Sequence, residues 1–274
     1  MATPLDPLPP DLQRDLDFAI EAVRQASTRA LGVRSSGRWE GESLADMGDQ
    51  VCDAFLQGLI AGRYPEDGVL SEETVDTPDR LRKSRVWIVD PLDGTREFGA
   101  GRHDWAVHVG LVVDGRCRVG AVALPAQGQI LWGVADESHR TQGWEGRPAQ
   151  STARHTHLRM AVSRSHTPPW VEALAADLDA QLVRAGSVGN KVAMLLAGEA
   201  DFYVHKTGLK EWDTCAPECI ALAADWAVSR LDGSRQVYNQ ADPRNDQVLV
   251  CRQADQARIL EALVRCGVVG DPAH

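Results

Sequence analysis

The stretch VWIVDPLDGTREF, residues 86–98, runs from an apolar segment into a turn that carries two carboxylates. Its first four residues are β-branched and aromatic types that favour a buried strand. Pro91 has no N–H to donate and fixes the turn, so Asp93 is free to point back toward Asp90. Neighbouring carboxylates repel each other unless a cation lies between them. Their hard oxygens favour Mg²⁺, which proteins commonly bind through a few carboxylates together with substrate phosphate.

The residues after Asp93 are suited to binding an anion. Gly94 permits backbone conformations closed to other residues, and residues 95–98 predict the start of a helix, whose first N–H groups are unpaired. Such a helix start binds phosphate. One loop therefore offers oxygen ligands for a metal and a cradle for an anion. The pattern D-x-x-D-G also occurs in ordinary surface turns, so the motif alone leaves that interpretation open.

Two further acidic segments stand at the ends of predicted elements. Glu72 and Glu73 close the strand-like GVLSEE, residues 68–73, and Asp213 lies in EWDTCAPE just before a predicted helix with Thr214 near its start. An acidic pair is usually solvated, and an Asp before a helix is usually an N-cap. If these segments converge with the first, they form a polynuclear Mg²⁺ site. The residues by themselves leave both interpretations open.

The composition is that of a globular protein with a substantial core. The chain has 274 residues, 43% of them hydrophobic, and a formal net charge of −10. This charge opposes nonspecific binding to nucleic acid and gives no reason to expect an anionic membrane as partner, although metal ions can reverse the local field around a bound phosphate. No apolar run is long enough to span a bilayer, and residues 1–10 lack a signal-peptide pattern. A cytoplasmic location is therefore expected.

The cysteines and histidines offer no separate chemistry. Of six scattered cysteines, Cys215 and Cys219 are four residues apart and could share a helix face. No second Cys or His pair is placed to complete a zinc site, so small buried thiols are expected. The histidines of the central region match no nucleophile motif and are interpreted as structural or surface residues. They are His103, His108, His155 and His157.

The N-terminal half combines helices with a largely antiparallel sheet. Apolar residues at helical spacing predict helices over 11–31 and 44–63. Strands are predicted over 68–73, over 85–90, in two runs within 104–125 and over 128–135. Asp114-Gly115, between the two runs, is a strong hairpin turn. Residues 136–157 are polar and predicted to be a connection plus edge structure.

The remaining residues alternate strand and helix, which predicts a smaller α/β half. Its predicted strands cover 159–166, 181–187, 200–205 and 249–252, and its predicted helices cover 170–178, 190–197 and 214–224. The fold class is therefore α/β in two parts. Residues 1–157 are predicted to form an α+β domain with most of the candidate metal ligands, and residues 158–274 are predicted to form an α/β domain that carries Asp213 and further candidate site residues.

Three segments together resemble a known family: WIVDPLDGTREF, the upstream LSEE and the downstream EWDTCAP. They are similar, in order and spacing, to the inositol monophosphatase superfamily of Mg²⁺-dependent, lithium-sensitive phosphatases, over nearly the whole chain. The form DPLDGTREF, GS at 186–187 and RLDGS…YN near the end look most like the CysQ-type 3′(2′),5′-bisphosphate nucleotidases. Those enzymes remove the 3′-phosphate of adenosine 3′,5′-bisphosphate (PAP) to leave AMP, in sulfur metabolism. The resemblance implies a layered α-β-α-β-α sandwich.

The resemblance also implies roles for particular residues. The implied metal ligands are Glu72, Asp90, the backbone carbonyl of Leu92, Asp93 and Asp213. Glu72 would help to activate a water, and Asp90 would bridge two Mg²⁺ ions. Thr95, paired with Asp49, would orient or deprotonate this water, which attacks phosphorus in line without a covalent intermediate.

Asp49 is the matching position in the upstream helix, and the resemblance implies that it also contacts a third, weaker metal. Asp46 and Asp53 lie a turn away on either side, so the register is open. The segment before Asp49 lacks the lysine and the Ser/Thr-rich lead that many family members have. A weakly held third metal is expected.

The substrate contacts implied by the resemblance are Asp93, Gly94, Thr95, Gly186, Ser187, Lys191, Lys206 and Asp213. Lys206 stands where inositol monophosphatases carry a glutamate that binds inositol hydroxyls. A lysine there favours a second phosphate and hence a bisphosphate substrate, while a solvated loop lysine is the equal alternative. Lys191 is a second candidate for the distal phosphate. Cys215 replaces a more usual alanine, a change of little steric consequence.

Several alternatives stay open at this level. The same site could act on inositol phosphate, fructose 1,6-bisphosphate or histidinol phosphate. A catalytically inactive nucleotide sensor should have lost metal ligands, whereas the acidic residues above are all present. A dinucleotide-dependent oxidoreductase needs G-x-G-x-x-G, which GSVGN does not match. Family members are often dimers, so a homodimer is a further expectation without a located interface.

Overall fold

Two long helices open the chain, as the apolar periodicity predicts. α1 (Pro10–Ser35) and α2 (Gly41–Arg63) include the predicted helices and extend beyond them. The computed structural model describes residues 7–148, 156–164 and 167–270. His155 and the last two residues of the predicted strand over 159–166 lie outside these ranges. Among the helices within them, none is both long enough and apolar enough to cross a lipid bilayer.

A six-stranded sheet follows these helices. Its strands are β1 (Gly68–Ser71), β2 (Arg85–Asp93), β3 (Ala106–Val113), β4 (Arg116–Leu124), β5 (Gln129–Ala135) and β6 (Arg140–Glu145), which neighbour one another in chain order. β1 pairs parallel to β2, and the other pairs are antiparallel, as predicted. Asp114 and Gly115 form the predicted hairpin turn with positive φ angles of 49° and 77°. The short helix α3 (Thr95–Gly99) follows β2.

The second sheet has five strands. They are β7 (Leu158–Ser163), β8 (Ala180–Ala185), β9 (Phe202–His205), β10 (Trp226–Ser229) and β11 (Val248–Arg252), in the order β10-β11-β9-β7-β8. The helices of this half are α4 (Pro169–Leu178), α5 (Val188–Ala197), α6 (Glu211–Ala223) and α7 (Gln256–Arg265). β7 runs parallel to β8 and β9, whereas β11 is antiparallel to β9 and β10.

These elements stack in five layers. α1 and α2 cover one face of the first sheet, α5 and α6 lie between the two sheets, and α4 and α7 cover the outer face of the second sheet. The α-β-α-β-α sandwich is thereby confirmed. Because α6 packs on both sheets, the domain boundary after residue 157 stays a prediction.

The structure corrects several local predictions. β10 and α7 were not expected: β10 is only four residues long and follows directly on α6 through Asp225, whose φ is +60°. Helix α6 begins at Glu211, so Asp213 lies in its first turn rather than before it. The cause is Lys210, which has an extended backbone and acts as the N-cap. His108 lies within β3.

The cysteines have the expected environment. All six are free thiols, and only Cys266 is not fully buried. Cys215 and Cys219 share the face of α6 that packs on the first sheet, where Cys219 Sγ lies 3.4 Å from the carbonyl oxygen of Gly133. These side chains fill core space, as small apolar groups do.

Three glycines let α6 rest directly on the strand backbones. Gly110, Gly120 and Gly133 lie side by side on β3, β4 and β5. A β-carbon at Gly120 would lie 2.5 Å from the carbonyl oxygen of Ala216, and one at Gly133 would lie 2.8 Å from the β-carbon of Ala223. Such distances are shorter than van der Waals contact, so larger residues at these positions would push α6 outward.

We expect Gly120→Ala to lower the free energy of unfolding by about 1–3 kcal/mol, the usual cost of overpacking a dense core. Urea unfolding followed by circular dichroism measures this change. Gly58→Ala is the matched control, because Gly58 lies inside α2 and a β-carbon there would meet no neighbouring atom within 4 Å. Alanine there should be neutral or stabilise by up to about 1 kcal/mol. An unchanged urea midpoint for Gly120→Ala would contradict the close packing of α6.

Candidate active site

Asp90 lies where the regular pairing of β2 breaks down. β2 pairs regularly with β3 up to Asp90, and the register then shifts before Asp93. Pro91 lies in this gap and cannot donate a ladder hydrogen bond. The side chain of Asp90 is buried: Oδ1 accepts the Leu92 N–H at 3.0 Å, while Oδ2 has no hydrogen-bond partner among the described residues. A buried carboxylate oxygen without a donor is costly and indicates a missing positive partner.

Asp93 connects the first sheet to the start of α5. Its Oδ2 accepts the Ser187 hydroxyl at 2.6 Å, the Val188 N–H at 2.5 Å and the Gly189 N–H at 3.3 Å. The N-terminus of a helix favours negative charge, since its first N–H groups are unpaired. All three donors bind Oδ2. The other carboxylate oxygen, Oδ1, accepts none of these hydrogen bonds and is available to a further ligand.

Two other elements bring carboxylates to the same place. Asp213 is half-buried in the first turn of α6, with Oδ2 accepting the Lys210 N–H at 2.6 Å. Glu72 follows the end of β1 and interacts electrostatically with both Asp90 and Asp93. The acidic segments that are separate in the sequence therefore meet in the fold.

Asp49 on α2 completes this group. It is buried, its Oδ1 has no hydrogen-bond partner among the described residues, and the Thr95 hydroxyl lies close enough to lower its pKa. The neighbouring aspartates are placed differently. Asp53 accepts hydrogen bonds from the hydroxyls of Ser71 at 2.6 Å and Thr74 at 2.9 Å, and Asp46 is exposed. The structure thus places Asp49, and not Asp46 or Asp53, beside Thr95, as the expected register requires.

The mutual repulsion of these groups shows in their pKa values. Burial and then the charge of Asp93 raise the pKa of both Asp90 and Asp213 well above the usual range. Burial, Asp93 and Glu73 raise the pKa of Glu72 to about 7. For Asp49, burial followed by Glu73 and Glu72 raises the pKa to about 8. A divalent cation would relieve this repulsion, and carboxylate and carbonyl oxygens are the ligands that Mg²⁺ prefers.

His108 is a neighbour of the site that the sequence interpretation did not place there. Ligand atoms of Asp90, Asp93 and His108 lie within 4.8 Å of one another. His108 is fully buried, with Nε2 3.3 Å from Asp93 Oδ2 and Nδ1 3.3 Å from the Trp212 carbonyl oxygen. A β-carbon at Gly189 would lie 2.3 Å from Nε2, which places the ring on the α5 side of Asp93. We therefore treat His108 as support for Asp93 and leave the metal to oxygen ligands.

The backbone at Gly94 and Thr95 has the conformation that the expected phosphate-binding loop needs. Gly94 has φ +96°, in the left-handed region that favours glycine, and is the N-cap of α3. The Thr95 hydroxyl donates to the carbonyl oxygen of Leu92 at 3.2 Å. The loop is thus held in a defined conformation next to Asp90.

The four predicted distal contacts differ in their surroundings. The Gly186 N–H donates to Asp104 Oδ2 at 2.8 Å, and the Ser187 hydroxyl is used by Asp93. Lys191 is buried, and its Nζ donates to the Ser187 carbonyl oxygen at 2.8 Å. Lys206 is partly exposed after β9 and has no hydrogen bond or ion pair within the described ranges. Their roles toward substrate stay predictions.

A buried arginine network was not expected from the sequence. Arg80 is 2% exposed. Its Nε and Nη2 each lie 2.7 Å from an oxygen of Asp76, its Nη1 donates to Asn239 Oδ1 at 2.7 Å, and Nη2 donates to the Gln240 carbonyl oxygen at 2.9 Å. The N–H groups of Asn239 and Gln240 in turn donate to the carboxylate of Glu211 at 2.6 and 2.8 Å.

This network joins the loop that follows Glu72 to the start of the helix that carries Asp213. The sequence gives no indication that Arg80 is buried, because it is an isolated arginine in a polar segment and arginine is among the residues least often buried. The partners, about 160 positions away, are identified only by the folded structure.

Comparisons with known proteins identify the family of this chain. The family model described as the inositol monophosphatase family matches residues 12–267. A 3′-phosphoadenosine 5′-phosphate phosphatase of Mycobacterium leprae is 38% identical over 262 residues, covering 92% of this chain and 93% of that protein. The protein with the same name from Mycobacterium bovis is 41% identical over 224 residues, covering 80% of each. The structure of CysQ from Bacteroides thetaiotaomicron superposes with a TM-score of 0.74 at 25% identity, covering 88% of this chain and 98% of that one.

Proposed function

The chain belongs to the inositol monophosphatase family, and we propose that it is a Mg²⁺-dependent phosphatase that converts PAP to AMP by removing the 3′-phosphate. The observation that carries the proposal is the acidic cluster around the buried Asp90, which combines uncompensated carboxylates with the glycine-threonine turn. The relatives named as 3′-phosphoadenosine 5′-phosphate phosphatases support the choice of substrate.

In this proposal Glu72, Asp90, the Leu92 carbonyl, Asp93 and Asp213 would hold Mg²⁺, which would supply an activated water and offset charge on the phosphate oxygens. The protein residues around them orient the reactants. Asp93 is held by three donors from the start of α5, so its remaining oxygen has a fixed direction. The backbone N–H groups of Gly94 and Thr95 bind phosphate oxygens, where developing negative charge is stabilised.

In this proposal Thr95 and Asp49 carry out the proton transfer. The Thr95 hydroxyl lies between the Leu92 carbonyl and the Asp49 carboxylate. In this position it can orient the attacking water, while Asp49 accepts a proton. We infer a third, weaker metal contact at Asp49 and sensitivity to Li⁺ from family membership alone. A homodimer stays a prediction as well.

A panel of phosphate esters tests the proposal. With Mg²⁺ present, we expect the highest kcat/KM for PAP, and lower values for inositol 1-phosphate, fructose 1,6-bisphosphate and histidinol phosphate. Phosphate release is measured for each ester with and without Li⁺. A higher kcat/KM for inositol 1-phosphate than for PAP would contradict the choice of substrate. Binding of PAP without phosphate release at saturating Mg²⁺ would indicate a nucleotide sensor instead of an enzyme.

Lys206→Ala tests recognition of the second phosphate. If Lys206 binds the 5′-phosphate, its removal should raise KM for PAP about tenfold or more, since a hydrogen bond to a charged group contributes about 1.5–3 kcal/mol. KM for adenosine 3′-monophosphate, which lacks the 5′-phosphate, should stay unchanged. Lys83→Ala is the control, because Lys83 Nζ is used by the Glu66 carbonyl oxygen. Equal losses on both nucleotides would count against Lys206.

A further inference from the structure

A second cleft lies at the far end of α6 from Asp213. It has a volume of about 530 Å³ and lies between the start of β4, the β5–β6 turn, the C-terminal half of α6 and the segment after β10. We call it the α6 cleft. Glu218 and Gln236 lie at its base, and Arg116, Arg118, Arg140 and Arg235 line it. Its volume is within the range of about 300–1,000 Å³ that is typical of small-molecule sites.

The base of the α6 cleft presents hydrogen-bond acceptors. Gln236 is 5% exposed, and its Oε1 is buried with no donor among the described residues. Its Nε2 donates to the Gln247 carbonyl oxygen, so a flipped amide would set two oxygens against each other. A buried acceptor without a donor costs about 1–3 kcal/mol. A bound molecule that donates a hydrogen bond to this oxygen would remove that cost.

Glu218 adds a second acceptor beside Gln236. One of its carboxylate oxygens accepts the Tyr238 hydroxyl at 2.6 Å. Among the described residues, the other oxygen has only the Cys117 thiol at 3.8 Å, a weak donor at a long distance. Burial raises the pKa of Glu218 to about 7, which agrees with a carboxylate that lacks a strong charged partner.

Four arginines line the cleft against the two rim carboxylates of Asp136 and Glu137, so the rim is positive on balance in a chain of net charge −10. Arg118 lies 3.5 Å from Asp136, and Arg140 lies 3.2 Å from Asp225. Arg116 and Arg235 are exposed and form no ion pair within the ranges that the structure describes. Guanidinium groups bind phosphate oxygens in a bidentate geometry.

We propose that the α6 cleft binds a phosphorylated, hydroxyl-bearing metabolite, with the phosphate at Arg116 and Arg235 and the hydroxyls donating to Gln236 and Glu218. The positive rim and the acceptor base require a ligand with both kinds of group. A sugar phosphate and a nucleoside monophosphate share this chemistry. The site is separate from the acidic cluster, since no residue of that cluster lines it.

Isothermal titration of the full chain in excess EDTA tests the proposal, because EDTA suppresses metal-dependent binding at the acidic cluster. The probes are ribose 5-phosphate, AMP and inorganic phosphate. We expect ribose 5-phosphate or AMP, or both, to bind more tightly than inorganic phosphate, and the tighter of the two identifies the source. The double variant Arg116→Ala/Arg235→Ala should weaken that binding at least about tenfold, because each charged hydrogen bond contributes about 1.5–3 kcal/mol.

The double variant Arg38→Ala/Arg82→Ala is matched in charge and removes two exposed arginines that do not line the cleft. It should bind the probes like the unmodified protein. Loss of binding in both double variants, equal affinity for inorganic phosphate, or no binding of any probe would overturn the proposal. The Arg116→Ala/Arg235→Ala protein should keep its kcat/KM, so this result is independent of the proposed phosphatase activity.

Discussion

Asp90→Asn should abolish phosphate release, lowering kcat by at least about a thousandfold. Metal ions at such sites contribute several kcal/mol of charge stabilisation, and each 1.4 kcal/mol changes a rate about tenfold. Asparagine has nearly the same shape, and its side-chain oxygen can still accept the Leu92 N–H that Oδ1 of Asp90 accepts. The substitution therefore removes the charge and leaves the turn. A variant that retains a substantial fraction of the activity would contradict the proposed role of Asp90.

A second measurement separates metal binding from turnover. A ligand that binds only the folded protein raises its melting temperature, so Mg²⁺ should stabilise the unmodified protein and have little effect on Asp90→Asn. In EDTA the variant should be at least as stable as the unmodified protein, because the buried charge and its repulsion with Asp93 are gone. Asp114→Asn is the control. Asp114 is exposed in the β3–β4 turn at positive φ, which asparagine tolerates, so Mg²⁺ response and activity should persist.

Arg80→Ala should lower the free energy of unfolding by about 1.5–3 kcal/mol, the contribution typical of a hydrogen bond to a charged group, because the side chain of Asp76 is 36% exposed and water can solvate it once Arg80 is gone. The guanidinium group donates to Asp76, Asn239 and the Gln240 carbonyl, and all of these hydrogen bonds are lost in the variant. Such a loss is a large fraction of the total stability of a typical domain. Chemical denaturation of the two proteins in EDTA gives the difference directly.

Arg82→Ala, two residues further along the same turn, is the matched control. The side chain of Arg82 is 80% exposed, and its closest approach to Asp79 is 3.8 Å. Exposed pairs of this kind contribute about 0–1 kcal/mol, so little change is expected. If Arg80→Ala were as stable as Arg82→Ala, the Arg80 network would not be what holds the loop after Glu72 to the start of α6.

The elements of the fold follow from local sequence more closely than the site does. Helical periodicity identifies α1 and α2, and Asp114-Gly115 identifies the β3–β4 hairpin, because these signals depend on residues that are neighbours in the chain. β10 cannot be identified in this way, because a strand of four residues directly after a helix is too short to show a periodicity of its own. The start of α6 at Glu211 depends on the backbone of Lys210, which the apolar pattern does not report.

The sequence by itself determined which residues are candidates for the chemistry: acidic residues at the ends of predicted elements, and a glycine-threonine turn after Asp90 and Asp93. Only the tertiary structure decided how they are held. Asp93 meets Ser187 across 94 positions, and Arg80 meets Asn239 across 159. His108 comes to Asp93 through the pairing of β2 with β3, and the glycines of β3, β4 and β5 admit α6. Contacts of this kind arise when sheets and helices pack, and local spacing does not encode which distant surfaces will meet.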